Sequence, residues 1–126
     1  MAKGDDIQER LIDFAVATIK LCSELPETSA GRHVAGQLLR CGTSPAPNYG
    51  EARGAESKRD FIHKLKIVLK ELLESSVWLK IVFRADLLSK SRILPLLNEC
   101  DELSKIMQSS LKTVILGKIG HFGKNC

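Results

Sequence analysis

Aromatic residues are scarce: Phe, Tyr and Trp make up 5% of the 126 residues, with a single Trp and a single Tyr. The 44% hydrophobic content must then be carried mostly by Leu, Ile and Val, a composition that suits helix packed on helix. No apolar run approaches the ~18 residues a membrane span needs, so no membrane segment is expected. Met1 to Asp6 offers no apolar stretch behind a basic head, so no signal peptide is read and a cytoplasmic location is expected. Cysteine is present but never paired: Cys22, Cys41, Cys100 and Cys126 form no C-x-x-C and have no His at metal-ligand spacing. The first three fall on apolar faces of predicted helices and read as small buried hydrophobes, which leaves no metal and no cofactor. A Gly-rich phosphate loop, an H-E-x-x-H helix and an acidic metal cluster are all missing, and with them the common signatures of catalysis.

What is there is periodicity. A chain of this length fits one domain whose folding buries roughly two thirds of its surface, enough to hold together without staples. Apolar residues recurring every three or four positions predict four helices with short connections. The first runs from about Asp6 to Ser23, with Ile7, Leu11, Phe14, Thr18, Leu21 and Leu25 on one face. Pro26 stops it, and Thr28 or Ser29 can cap the next. The second starts near Ala30 and buries Val34, Leu38 and Cys41. Pro45 and Pro47 would stop most helices, but with Ser44 capping a restarted turn they fall where N–H groups need no partner. A kink near residues 42–45 is therefore predicted, with helix resuming to about Arg53. The third helix spans Ser57 to about Ala85, with Phe61, Leu65, Val68, Leu72, Leu79 and Phe83 facing the core and Asp60 completing a weak capping box. The fourth runs from near Ser91 to Leu116, with Pro95 in its first turn and Ile93, Leu97, Cys100, Met107, Leu111 and Val114 inward. Residues 3–117 are thus expected to form an all-α, antiparallel, up-and-down four-helix bundle. The acid-free tail 118–126 is expected to fray.

Three side-chain patterns are candidates for function. His33, Gln37, Arg40, Ser44, Asn48 and Glu51 follow at steps of four, three, four, four and three, a polar seam beside the core stripe of the second helix. Such a seam can be a site or a hydrogen-bond network that fixes helix register. With no nucleophile–base pair in it, the structural reading leads, with Arg40 and Glu51 satisfying each other or a neighbouring subunit. On the third helix Arg59, His63, Lys66 and Lys70 make a basic row, loosely continued by Lys80 and Arg84. Net charge is only +4, so position matters more than total. Alone, such a row is first of all a solvated face; it is also what a phosphate backbone attracts through counterion release. Aromatic residues do not interleave it, which leaves base stacking little to work with. Ile67, Trp78 and Ile81 add a further apolar side to the same helix, and contact between subunits is the simplest explanation.

The stretch QLLRCGTSPAPNYGEA from Gln37 to Ala52, then DFIHKLK from Asp60, Lys70-Glu71 and ESSVWL from Glu74, resembles a known pattern. It is similar to the bacterial four helix bundle family often encoded in intervening sequences of 23S ribosomal RNA genes, whose members are sometimes labelled S23 ribosomal proteins. The resemblance covers about Phe14 to Leu116; Cys41 stands where a serine is usual and Pro47 where a small residue is usual. It implies an antiparallel bundle that assembles into a ring, commonly a homopentamer, and it implies no reaction. A similar fold occurs in the basic, pentameric accessory proteins of diversity-generating retroelements, an analogy of fold alone.

Three functions follow as candidates. One is a non-catalytic oligomeric adaptor for structured RNA, using Arg59, His63, Lys66 and Lys70 repeated around a ring, with Lys118 and Lys124 as mobile helpers. Another is a scaffold ring for an unidentified protein partner, without nucleic acid. An enzyme built on Arg40, Asn48 and Glu51 comes last: Glu51 lacks a partner carboxylate, and Arg59 and His63 are too close in sequence for the Arg/His pair of helical ribonucleases.

Overall fold

Hydroxyl caps set where the helices begin. Thr28 Oγ1 accepts the Gly31 N–H at 3.0 Å, and Ser57 Oγ accepts the Asp60 N–H at 3.0 Å. The computed structural model describes residues 3–117, and they form α1 Lys3–Glu24, α2 Ser29–Thr43, α3 Pro45–Arg53, α4 Lys58–Arg84 and α5 Lys90–Ile115. The tail 118–126, including Lys118, Lys124 and Cys126, lies outside the described residues. Termination of α4 uses Asp86, which takes a left-handed φ of 55°. The Leu87 N–H then reaches back to the Val82 carbonyl at 3.1 Å. A short polar residue tolerates that conformation better than most, which is why the helix ends without a glycine.

α2 and α3 are one rod with a bend. Ser44 keeps helical angles (φ −71°, ψ −37°) and its side chain caps nothing, contrary to the expectation that it would restart the helix as a cap. Pro45 and Pro47 supply no N–H, so the carbonyls of Cys41 and Thr43 lose their helical donors and the rod bends. The ladder resumes at Asn48, whose backbone N–H bonds the Ser44 carbonyl at 3.2 Å. The Asn48 amide reinforces the joint, donating to the Ser44 carbonyl at 3.0 Å and to Ser44 Oγ at 2.9 Å.

Four rods then close into a bundle. α1 packs on α2/α3, α2/α3 on α4, α4 on α5, and α5 on α1, which places α1 diagonally opposite α4. Cross-links show α1 to run antiparallel to both of its neighbours. Gln8 meets the Ala46 carbonyl (2.8 Å) while Cys22 meets that of Ala35 (3.5 Å). Arg10 meets Glu99 (2.6 Å) while Glu24 meets Arg92 (2.6 Å). The architecture is the all-α, up-and-down four-helix bundle that the periodicity predicts.

Buried positions follow a seven-residue repeat. In α1 they are Ile7, Leu11, Phe14, Thr18 and Leu21, with Leu25 just beyond, as expected. In α4 they are Phe61, Leu65, Val68, Leu72, Ser75, Leu79 and Val82; in α5, Ile93, Leu96, Cys100, Leu103, Met107 and Val114, with Leu111 also buried. Two expectations are corrected here. Phe83 and Leu97 are only half-buried, because alternating steps of three and four bring Val82 and Leu96 onto the seam instead. Pro95 is also not in the first turn: α5 starts at Lys90, so the proline sits in the second turn and removes one ladder bond on an exposed side. Hydroxyls inside the core are satisfied locally. Thr18, Ser75 and Ser104 each donate to the carbonyl four residues earlier, at 2.8, 2.8 and 2.9 Å.

Candidate functional site

The outer face of α4 carries the pattern that packing does not explain. Arg59, His63, Lys66 and Lys70 are all exposed, on the side of the helix opposite the Phe61–Leu65–Val68–Leu72 seam. α4 holds seven basic and three acidic residues, a surplus of four that equals the net charge of the whole chain. Elsewhere, most arginines at the bundle surface are matched by acids: Arg10 with Glu99 and Glu102, Arg40 with Glu71 and Glu74, Arg53 with Asp5, Arg92 with Glu24; Arg32 instead donates to the Glu27 carbonyl. Among the described residues, no ion pair engages Arg59, His63, Lys66 or Lys70. Lys58, Arg59, Ile62, His63 and Lys66 border a shallow open depression near the start of this helix, where the helix dipole adds positive potential. Asp60, capped by Ser57 in the first turn, offsets part of it.

The same outer line changes character halfway along. Beyond Lys70 it continues as Leu73, Val77 and Ile81, which are 45%, 55% and 40% exposed. Of the expected interface residues only Ile81 belongs to this stripe. Ile67 is half-buried. Trp78 is turned toward α2, its ring meeting His33 edge-on at 5.8 Å and its Nε1–H donating to Glu74 at 3.2 Å. Leu73 and Val77 are readable from spacing alone, since steps of three and four carry the line of the basic row onward from Lys70. A second stripe, Ile12, Val16 and Ile19, stands exposed on α1, with Leu39 of neighbouring α2 also exposed. Because α1 and α4 are diagonal, the two stripes face opposite sides of the bundle. Their helices also differ in sign, since α1 holds five acidic residues against three basic ones.

The polar seam is tied to the bundle's own wall. Arg40 bonds Glu71 at 3.2 Å and also Glu74. Although desolvation opposes it, the two carboxylates hold the guanidinium above its ordinary pKa. Glu51 accepts from Lys64 at 2.8 Å, and that hydrogen bond raises the lysine pKa. Asn48 is held by Ser44, His33 rests against Trp78, and Gln37 lies half-buried between them. Of the two expected partners for Arg40 and Glu51, each other or a neighbouring subunit, the first is not found within the chain, because both reach across to α4 from different turns of the bent rod. Nor is the seam deeply buried: His33, Arg40 and Glu51 are exposed. It brings together no nucleophile and base. The thiols add none, since burial pushes Cys22 up to about 11 and Cys100 up to about 12, and raises Cys41 as well.

No helix among the described residues is long and apolar enough to cross a membrane. Comparison with known proteins places the chain by similarity. Residues 5–109 match the family model described as 23S rRNA-intervening sequence protein. A crystal structure of a protein of unknown function from the S23 ribosomal protein family of Bacteroides thetaiotaomicron VPI-5482 superimposes with a TM-score of 0.80 at 33% identity, covering 85% of this chain and 99% of that one. A search of curated proteins gave no match. With a bundle of matching fold and a family model that spans most of its length, the chain belongs to the 23S rRNA-intervening sequence protein family.

Proposed function

We propose that the chain is a non-catalytic oligomeric adaptor that binds structured RNA through the basic half of the outer face of α4. The observation that carries this reading is the row Arg59, His63, Lys66 and Lys70: exposed, aligned and unmatched by acids on a surface whose arginines are otherwise mostly paired. Three cations and a histidine make a weak site alone, since each surface contact with a phosphate contributes mainly by counterion release.

Assembly multiplies it. The apolar stripes of α4 and α1 lie on opposite sides of the bundle and on helices of opposite net charge, which favours heterologous packing of one copy's α4 on the next copy's α1. Heterologous contacts close into rings when the rotation permits, and the family resemblance points to a homopentamer. A ring repeats the basic row beside every junction, because Lys70 is one turn from Leu73, and it supplies avidity that one chain lacks.

The test is binding of a fluorescent structured RNA by protein of measured mass, at about 50 and about 200 mM salt. Affinity is expected to fall steeply, with a log–log slope of about −3 for each chain's row in contact. Absence of binding at low salt by the assembled protein would overturn the proposal and leave the protein scaffold as the better reading.

A further inference from the structure

We infer that the nucleic acid seated on α4 is a double helix, held by its phosphates without reading of sequence; this rests on the RNA-binding reading above. Recognition of single strands needs platforms on which unstacked bases can lie. The chain has none free among the described residues. Phe14, Tyr49 and Phe61 are buried at 1%, 2% and 1% exposure. The two half-buried rings are occupied: Trp78 by His33, and Phe83 beneath Lys90, whose Nζ sits 5.1 Å from the ring centre. Only the His63 imidazole stands in the basic row itself.

Sequence reading by hydrogen bonds is equally short of means. Between Ser57 and Lys70 there is no Asn or Gln, the residues that grip adenine, and Arg59 is the one guanidinium. The deep, narrow major groove of an RNA duplex keeps even that fork from base edges. Lysines act as point charges, which suits phosphates better than the patterned edges of bases.

Geometry favours the duplex as well. The row spans twelve residues of an uninterrupted helix, eleven rises of about 1.5 Å, so it is about 16 Å long. No Gly or Pro interrupts α4, and the cations are therefore presented on a rigid line. Double-stranded DNA carries a charge about every 1.7 Å of axis, and an RNA duplex, with its smaller rise per base pair, is denser still, so about nine or more lie along that length. A single strand has lower charge density, and it must be ordered to lie straight.

The experiment compares two RNA duplexes of equal length and unrelated sequence with one unstructured strand of the same length, each titrated into the assembled protein. The duplexes are expected to bind within about threefold of each other, and the single strand about tenfold more weakly or worse. A single strand that binds as well as the duplexes, or duplexes that differ by tenfold, would overturn the inference while RNA binding stands. Failure of all three to bind would overturn RNA binding itself, and the inference with it.

Discussion

Gly42→Ala is expected to destabilise the bundle by about 3 kcal/mol, although alanine is the better helix former by about 1 kcal/mol. A methyl group at this position would lie 2.5 Å from Thr18 Cγ2 and 2.8 Å from its Oγ1. Thr18 cannot withdraw. It is fully buried, and its hydroxyl is tied to the Phe14 carbonyl. The strain must then separate α1 from α2 two residues before the bend at Ser44, where the ladder is already short of donors. Thr18→Ala in the same chain removes both of the nearest atoms and leaves a contact of 3.1 Å to Cβ, which small shifts can relieve. The double variant should therefore be more stable than the sum of the singles by about 2 kcal/mol in urea unfolding at fixed protein concentration. Strict additivity would mean that close approach of the two helices is not what requires glycine.

In the proposed assembly, Val77→Asp is expected to give single chains of 13.9 kDa while leaving the helix content unchanged. Val77 is 55% exposed at the centre of the Leu73–Val77–Ile81 stripe, so the fold of one chain makes little use of it. Surface substitutions of that kind usually move stability by about 0.5 kcal/mol or less. In a contact between copies, the same carboxylate would lose its water and find no partner, at several kcal/mol per copy. Light scattering reads the mass and circular dichroism the fold. RNA affinity should drop together with the mass, even though the basic row is untouched, because avidity is lost. Full-size assembly with Asp at this position would remove the apolar half of α4 from the interface.

Much of the fold is legible because helices are local. Ile7, Leu11, Phe14, Thr18 and Leu21 declare their face by spacing, and Thr28 and Ser57 mark helix starts by chemistry. Choices between adjacent apolar residues are less local. Val82 or Phe83, and Leu96 or Leu97, fit the same short window equally well; only the seven-residue repeat carried down the full helix selects Val82 and Leu96. The basic row needs nothing but spacing and is readable outright. The polar seam is harder, since the partners of Arg40 and Glu51 lie 31 to 34 and 13 residues away, and the bend at Ser44 decides which turns of α4 they meet. The opposite placement of the α1 and α4 stripes belongs to topology, and no single helix reveals it.

Charge reversal by position tests most directly the proposal that RNA sits on one half-face of one helix. Lys66→Glu with Lys70→Glu changes net charge as much as Lys105→Glu with Lys112→Glu, two exposed lysines of α5. In duplex RNA binding at matched assembly, the α4 pair is predicted to weaken affinity about a hundredfold and to flatten the salt slope by about two per chain in contact. The α5 pair should stay within about threefold of the parent chain. Equal losses from both pairs would show attraction to net charge alone, and no loss from the α4 pair would contradict the assignment of that face to RNA.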